Sequence, residues 1–282
     1  MRQPQMDDRQ FDRIAALAYR ESGIRLVREK KLMVQSRLRH RLRELNLDAF
    51  AAYADHVISE NGAQERRFMI SALTTNVSHF FREAQHFDIL SDRLLPRFRA
   101  CIATGQRIRI WSAGCSNGQE PYSIAMHLLA QDPSLVDGDF RILGTDIDPQ
   151  VIAHARRGSY SAQHLRGIPP EILDKFTIGT DHDDGSRTMT DELKRIVSFH
   201  ELNLFSQWPM QFPFDAIFCR NVVIYFDQAT QERLWPRFNA ALTPEGLFFL
   251  GHSERILEPA DDGFQSVGPT AYCKPAHAHS TS

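Results

Sequence analysis

Four short stretches concentrate side chains that could do chemistry as well as fill a core. The run GCSNG sets Gly114 and Gly118 around Ser116, and missing side chains there let backbone approach a ligand closely, although glycines in such a place also serve as plain turn residues. It lacks the GxGxxG spacing of a phosphate-binding turn. In GTDID, Asp146 stands where a carboxylate can accept hydrogen bonds from both ribose hydroxyls of a nucleoside. A helix cap is the plainer role for an aspartate here, and Asp148 before Pro149 suits capping better, which leaves Asp146 for a ligand. Glu120, just past Gly118, could stabilise a helix dipole or meet a cationic ligand. The remaining stretches are residues 75–83 and 214–227. Phe80, Phe81 and Phe226 are most simply core, whereas Asn76, Arg82, Arg220 and Asn221 are polar groups beside apolar runs at element ends.

The elements that must position these groups are legible as an alternation. Residues 107–111 predict a strand, 120–129 a helix, 140–143 a second strand, and a helix follows through about Arg156. Further strands are expected at 196–200, 214–219 and 246–250, with a helix over 228–242. This order indicates an α/β fold, a doubly wound and mostly parallel sheet, whose ligands bind beyond the carboxyl ends of the strands. Residues 177–190, with Gly179 and Gly185 around an acidic turn, predict a hairpin within an insertion at about 160–195. Before the sheet, apolar residues from Phe11 to Leu73 recur at helical spacing. Val34, Leu38, Leu42 and Leu45 form one stripe that must pack on something. The expected organisation is therefore a small all-helical domain over 1–75, a linker and helix covering the site over 76–104, a sheet domain over 105–276, and a disordered tail at 277–282.

Composition narrows the partners. No apolar run approaches the roughly 18 residues of a membrane span, and the polar start carrying Asp7, Asp8 and Asp12 is wrong for a secretory signal, so a cytoplasmic address without membrane insertion is expected. Cys101, Cys115, Cys219 and Cys273 form no CxxC pair, which suggests neither zinc nor disulfides, and no metal is expected. Net charge is −2, yet residues 1–106 hold 18 Lys and Arg against 13 Asp and Glu, while the remainder holds 15 against 22. The excess peaks between Arg25 and Arg43, where eight basic residues, Arg37, Arg39, Arg41 and Arg43 among them, face one acid, Glu29. An acidic partner or a solvated helix would each account for this.

The strings TTNVSHFFRE, WSAGCSNGQEPYSIA, GTDID, FDAIFCRNVVIYFD and GHSE, in this order after a basic helical segment, resemble the chemotaxis-receptor glutamate methyltransferase family, CheR type, from about residue 10 to 274. The resemblance implies a Rossmann-like methyltransferase sheet and S-adenosylmethionine as cofactor. It places Asn76, Ser78 and Arg82 on the cofactor from the segment joining the domains, Glu120 at the amino acid end and Asp146 at the ribose. Asn203, Leu204, Arg220 and Asn221 would complete the adenosine pocket beside Gly114, with Tyr225 next to the transferred methyl. Ser78 departs from the usual threonine but keeps the hydroxyl. The implied acceptors are glutamates on acidic receptor helices, met by Arg37, Arg39, Arg41 and Arg43, and in some relatives the inserted hairpin grips a receptor tail peptide. A glutamate is already ionised at neutral pH, so Arg82 and Tyr225 would orient it without a histidine and its carboxylate orienter.

Three other readings stay open on the residues alone. GCSNG matches a GxSxG nucleophile elbow, with Asp215 and His252 in the chain order of a triad, though such hydrolases place several strands before the elbow. A nucleic-acid methyltransferase would share the fold, yet residues 221–225 lack the prolines of the Asn-Pro-Pro-Tyr-like motif. A cofactor-binding adaptor without turnover is the third.

Overall fold

The computed structural model describes residues 4–74, 76–180 and 184–276. Helix α1 (Asp8–Ser22) starts where Asp7 and Gln10 exchange side-chain and backbone hydrogen bonds, and ends at Gly23, whose φ of 70° suits glycine. Helices α2 (Lys31–Glu44), α3 (Phe50–Ile58) and α4 (Ala63–Leu73) follow. Val34, Leu38 and Leu42 are buried against Phe11, Ile14, Tyr53 and Met69, and Leu45 packs on the same cluster, so the predicted stripe builds the core of the helical domain.

The basic face of α2 is less free than its charge count implies. Arg41 grips Glu65 with Nε and Nη2 at 2.9 and 2.7 Å, and Tyr53 donates its hydroxyl to the same carboxylate at 2.9 Å. Arg37 donates from Nη1 to the carbonyls of Leu73 and Thr74 at 2.6 and 3.0 Å, closing the end of α4. Arg28 pairs with Asp12, and Lys31 with Asp8. Arg39 is half-buried and Arg43 exposed. Arg37 and Arg41, both expected to meet a partner, are thus also engaged within the helical domain by groups far away in sequence but adjacent in the fold.

Helix α5 (Gln85–Ala103) buries Phe87, Leu90, Leu94 and Phe98 in the same core as the sheet. Strand β1 (Ile108–Ala113) leads to α6 (Gln119–Gln131), β2 (Phe140–Asp146) and α7 (Pro149–Arg157). After an insertion come β6 (Val197–Glu201), β7 (Phe214–Cys219), α10 (Gln228–Ala241), β8 (Leu242–Leu250), β9 (Gln265–Gly268) and β10 (Ala271–Cys273). The insertion comprises β3 (Ser159–Tyr160), α8 (Pro170–Phe176), β4 (Thr177–Gly179), β5 (Arg187–Met189) and α9 (Asp191–Ile196). The large sheet has the order β6-β2-β1-β7-β8-β10-β9. Its first five strands are parallel, and β10 and β9 add antiparallel pairings at the far edge. Both faces of β7 are buried, which is why every residue of it except Asp215 is apolar. The chain winds from β1 outward to β6 and returns to start again at β7, so the switch point lies between β1 and β7.

The sequence reading therefore holds for the five parallel strands, with three differences. Strand β8 begins at Leu242, ahead of the expected Gly246, because its register against β7 is interrupted between Phe214 and Ala216 and Glu245 turns through φ 62°, which reads as a loop. Strands β9 and β10 were not expected, being too short to show a period of two. The insertion is a three-stranded antiparallel sheet, β3-β5-β4, where a hairpin alone was expected. Part of its expected Gly179 to Gly185 turn, residues 181–183, and the expected tail at 277–282 lie outside the described residues. Among the described residues no helix is long and apolar enough to cross a membrane.

Changing Glu65 to Gln keeps the shape but removes the charge that Arg41 and Tyr53 share, and is expected to cost about 3 kcal/mol of stability in urea unfolding. A loss below about 0.5 kcal/mol, the range of an ordinary surface substitution, would show that this pair does not hold the helical domain.

Candidate active site

At the carboxyl ends of β1, β2 and β7 lies a cleft with an empty volume of about 880 Å³. Gly114 ends β1 with φ 86°, and a Cβ there would lie 2.2 Å from Val222 Cγ2, so only glycine lets the β1 and β7 loops close on each other. Gly118, at φ 88°, opens α6, where a Cβ would meet that of Ala155 at 2.8 Å. These glycines serve a tight turn and close packing rather than phosphate approach.

Asp146 ends β2. Its carboxylate accepts from the backbone N–H of Ser116 at 2.9 Å and of Asp148 at 3.0 Å. Burial nevertheless pushes its pKa up to about 6, against the pull of those two N–H groups. Asp148 caps α7 through the Gln150 N–H at 2.8 Å, as its place before Pro149 predicts. Its other oxygen accepts from Asn76 Nδ2 at 2.8 Å. Asn76 thus lines the cleft with its amide nitrogen already committed, and ties the interdomain segment to β2.

Glu120 occupies the first turn of α6 and is buried. One oxygen accepts from Ser112 Oγ at 2.6 Å and the other pairs with Arg220 Nε at 2.7 Å. Arg220 is also buried, and its Nη1 donates to the Arg82 carbonyl at 2.7 Å and to His86 Nδ1 at 3.2 Å. Since arginine only donates, the His86 proton belongs on Nε2, which faces the Pro269 carbonyl at 3.2 Å. Burial and the adjacent Arg220 charge lower the His86 pKa, which keeps it neutral. Glu83 Oε2 lies 3.9 Å from Arg220 Nη1, and Glu83 Oε1 takes His252 Nδ1 at 3.0 Å.

The structure brings Asn76, Ser78, Arg82, Gly114, Glu120, Asp146, Asn203, Leu204, Arg220, Asn221 and Tyr225 together around this one cleft. Asn221 stands at φ 58° with a buried Oδ1 that finds no hydrogen-bond partner among the described residues. Asn203 is engaged, donating from Nδ2 to the Glu21 carbonyl at 2.6 Å and accepting from the Phe205 N–H at 2.9 Å. Ser22 and Ile24 extend the wall from the helical domain. Those two, and the supporting roles of the half-buried Glu83 and the buried His86, escaped the sequence reading, because helix and loop positions give no periodic sign of what lies opposite them. The basic residues of α2 are not part of the lining.

The triad of a serine hydrolase is not assembled. Ser116 Oγ donates to the Asn76 carbonyl at 3.1 Å, while His252, 66% exposed, pairs with Glu83. Asp215 is bound to the Arg109 N–H and to Arg97 where β1 and β7 begin, at the opposite rim of the sheet. A histidine paired with a carboxylate exists nearby, His252 with Glu83, but neither residue lines the cleft. Cys115 and Cys219 are buried, and burial raises both thiols well above their ordinary range, which keeps them unreactive.

A switch-point cleft with an acidic residue ending the second strand is where an open parallel sheet binds a ligand that carries a nucleoside. The unpaired Asn221 Oδ1 and the Asp146 carboxylate suit such a ligand. Residues 76–273 match the model of the CheR methyltransferase SAM-binding domain, and residues 9–74 that of the CheR all-alpha domain. The chain belongs to the CheR methyltransferase family. It is 42% identical over 269 residues to a chemotaxis protein methyltransferase of Escherichia coli, covering 95% of this chain and 91% of that relative. A probable chemotaxis protein methyltransferase of Rhizobium etli is 43% identical over 257 residues, with 91% and 96% covered. Chemotaxis protein methyltransferase 2 of Pseudomonas aeruginosa is 42% identical over 267 residues, with 93% and 91% covered.

Proposed function

We propose that this protein methylates glutamate side chains on chemotaxis receptors, converting S-adenosylmethionine to S-adenosylhomocysteine and leaving glutamate methyl esters. The observation that carries this reading is a single cleft holding Asp146 and the Glu120–Arg220 pair together with Arg82 and Tyr225. When bound, the cofactor supplies a methyl carbon made electrophilic by its sulfonium. Asp146 accepts from the ribose hydroxyls, Glu120 meets the cofactor's ammonium, and Asn221 Oδ1 accepts from the adenine amino group. Leu204 and Gly114 line the same nucleoside pocket, with Asn203 holding the Leu204 segment. Ser78 and Asn76 close it from the interdomain segment. Arg82, whose guanidinium has only a long 3.5 Å contact to the Val77 carbonyl and lies 3.9 Å from Glu83, keeps the reach to draw in an acceptor carboxylate. Tyr225, in the same lining, orients that carboxylate. A glutamate with pKa near about 4.3 arrives ionised, so the site has to position and desolvate it without removing a proton.

For the partner, the exposed Arg43 and the half-buried Arg39 are the residues of α2 we assign to acidic receptor helices. The edge strand β4, with Ile178 exposed, is where a receptor tail peptide would add a strand. The reading requires neither nucleic acid nor membrane insertion.

Incubation with labelled S-adenosylmethionine and receptor fragments is expected to give label that mild alkali releases as volatile methanol. Label that resists alkali would mean another acceptor atom. Because Asp146 must be ionised to accept from ribose and its pKa is raised to about 6, S-adenosylhomocysteine binding should be constant above about pH 7. Below the pKa it should weaken about tenfold per pH unit. The Asp146→Asn variant should bind weakly without that dependence, and calorimetry showing wild-type affinity flat from about pH 5 to 8 would contradict the assignment. Reversing Arg43 to Glu is expected to raise the receptor KM about three- to tenfold, as befits one exposed pair of roughly 1 kcal/mol, with cofactor affinity unchanged. Equal receptor KM values for both proteins would remove α2 from the contact.

A further inference from the structure

The reading above gives no part to GHSE, residues 251–254. In the structure this string is the turn that follows β8, and its glutamate is buried. The Glu254 carboxylate accepts three backbone N–H groups, from Gly251 at 2.7 Å, Asn221 at 2.8 Å and Ile224 at 3.1 Å. Two of those donors belong to the loop after β7, the segment that carries Arg220, Asn221 and Tyr225 into the cleft.

That loop needs an anchor. Asn221 sits at φ 58°, a left-handed conformation uncommon outside glycine, and the chain then makes one short 3-10 turn over Val223–Tyr225. Left alone, the N–H groups of Asn221 and Ile224 would be partnerless at the edge of a core. A carboxylate gives them charge-assisted hydrogen bonds, which are about twice as strong as neutral ones. The glycine of the same string acts on the same residue. A Cβ on Gly251 would stand 2.5 Å from Asn221 Nδ2 and 2.8 Å from its backbone nitrogen. The glycine leaves the space that Asn221 fills, and the glutamate fixes the backbone that holds it there.

We propose that Glu254 is a positioning residue for methyl transfer, holding the 220–225 loop so that Asn221 and Tyr225 meet the cofactor, with Gly251 providing the room that this placement requires. The inference rests on the methyl-transfer reading of the cleft. Glu254 touches neither cofactor nor acceptor and acts only through the loop.

The test is Glu254→Gln, which keeps the size of the side chain but removes its charge and turns one acceptor into a donor. The folded variant is expected to bind S-adenosylhomocysteine at least about tenfold more weakly and to raise the KM for S-adenosylmethionine by a similar factor, the scale of one lost charge-assisted bond. Its KM for a receptor fragment should stay within about threefold, whereas a general loosening of the fold would move both constants. In an Asn221→Ala background the Glu254→Gln penalty on binding should shrink to within about threefold, because the two residues act as one unit. Binding within threefold of wild type, a parallel rise in both KM values, or a penalty undiminished in the Asn221→Ala background would each overturn the proposal. If Glu254→Gln does not fold, Gly251→Ala, which disturbs Asn221 while leaving the carboxylate intact, decides on the same criteria. A wild-type protein that neither binds S-adenosylhomocysteine nor methylates receptor fragments would overturn the methyl-transfer reading and this inference with it. An active wild type beside an indifferent variant would overturn the inference alone.

Discussion

The site is arranged around a buried guanidinium. Taking a charge out of water costs several kcal/mol unless it is paired and its donors are satisfied. Arg220 meets that requirement by drawing together Glu120 from the start of α6, the Arg82 carbonyl, and Glu83 and His86 at the approach to α5. Three segments widely spaced in sequence are thereby fixed at one point beside the end of β7. The cluster bears two carboxylates against one guanidinium, a local excess of negative charge in the wall that faces a cationic cofactor.

The same constraint explains which parts of the molecule were legible in the sequence. The parallel strands could be read because their buried positions are largely apolar, as in Phe214–Cys219, where Asp215 alone is charged. Gly114, Gly118 and Asp146 could be read because turn geometry and strand ends are local properties. The roles of Glu83, His86 and Glu254 could not, although two of them stand in strings the sequence singled out, since their partners lie on other elements. The internal partners of Arg37 and Arg41 were illegible for the same reason. A helical run shows where its charges point but not whether an acid such as Glu65 or a row of carbonyls stands opposite. The family resemblance supplied the cofactor and the acceptor, which local chemistry alone left open among several classes.

The helical domain is more than an appendage to the sheet. The Arg25 N–H donates to the Tyr225 carbonyl at 2.8 Å, Arg67 pairs with Glu201 at 2.9 Å, and Tyr19 and Thr230 share a hydrogen bond at 3.2 Å. Each of these joins the helices to a segment following β6 or β7, or to β6 itself. The loop that bears Tyr225 is therefore held from two sides, by the helical domain through its carbonyl and by the turn after β8 through its N–H groups.

The placement of Ser22 and Ile24 in the cleft wall has a thermodynamic consequence. A molecule seated there touches both the helices and the sheet, so its binding must stiffen the junction between them. By reciprocity, anything that stiffens the same junction from outside raises the equilibrium affinity for what the cleft contains. Occupancy of the cleft and closure of the junction become two readings of one equilibrium.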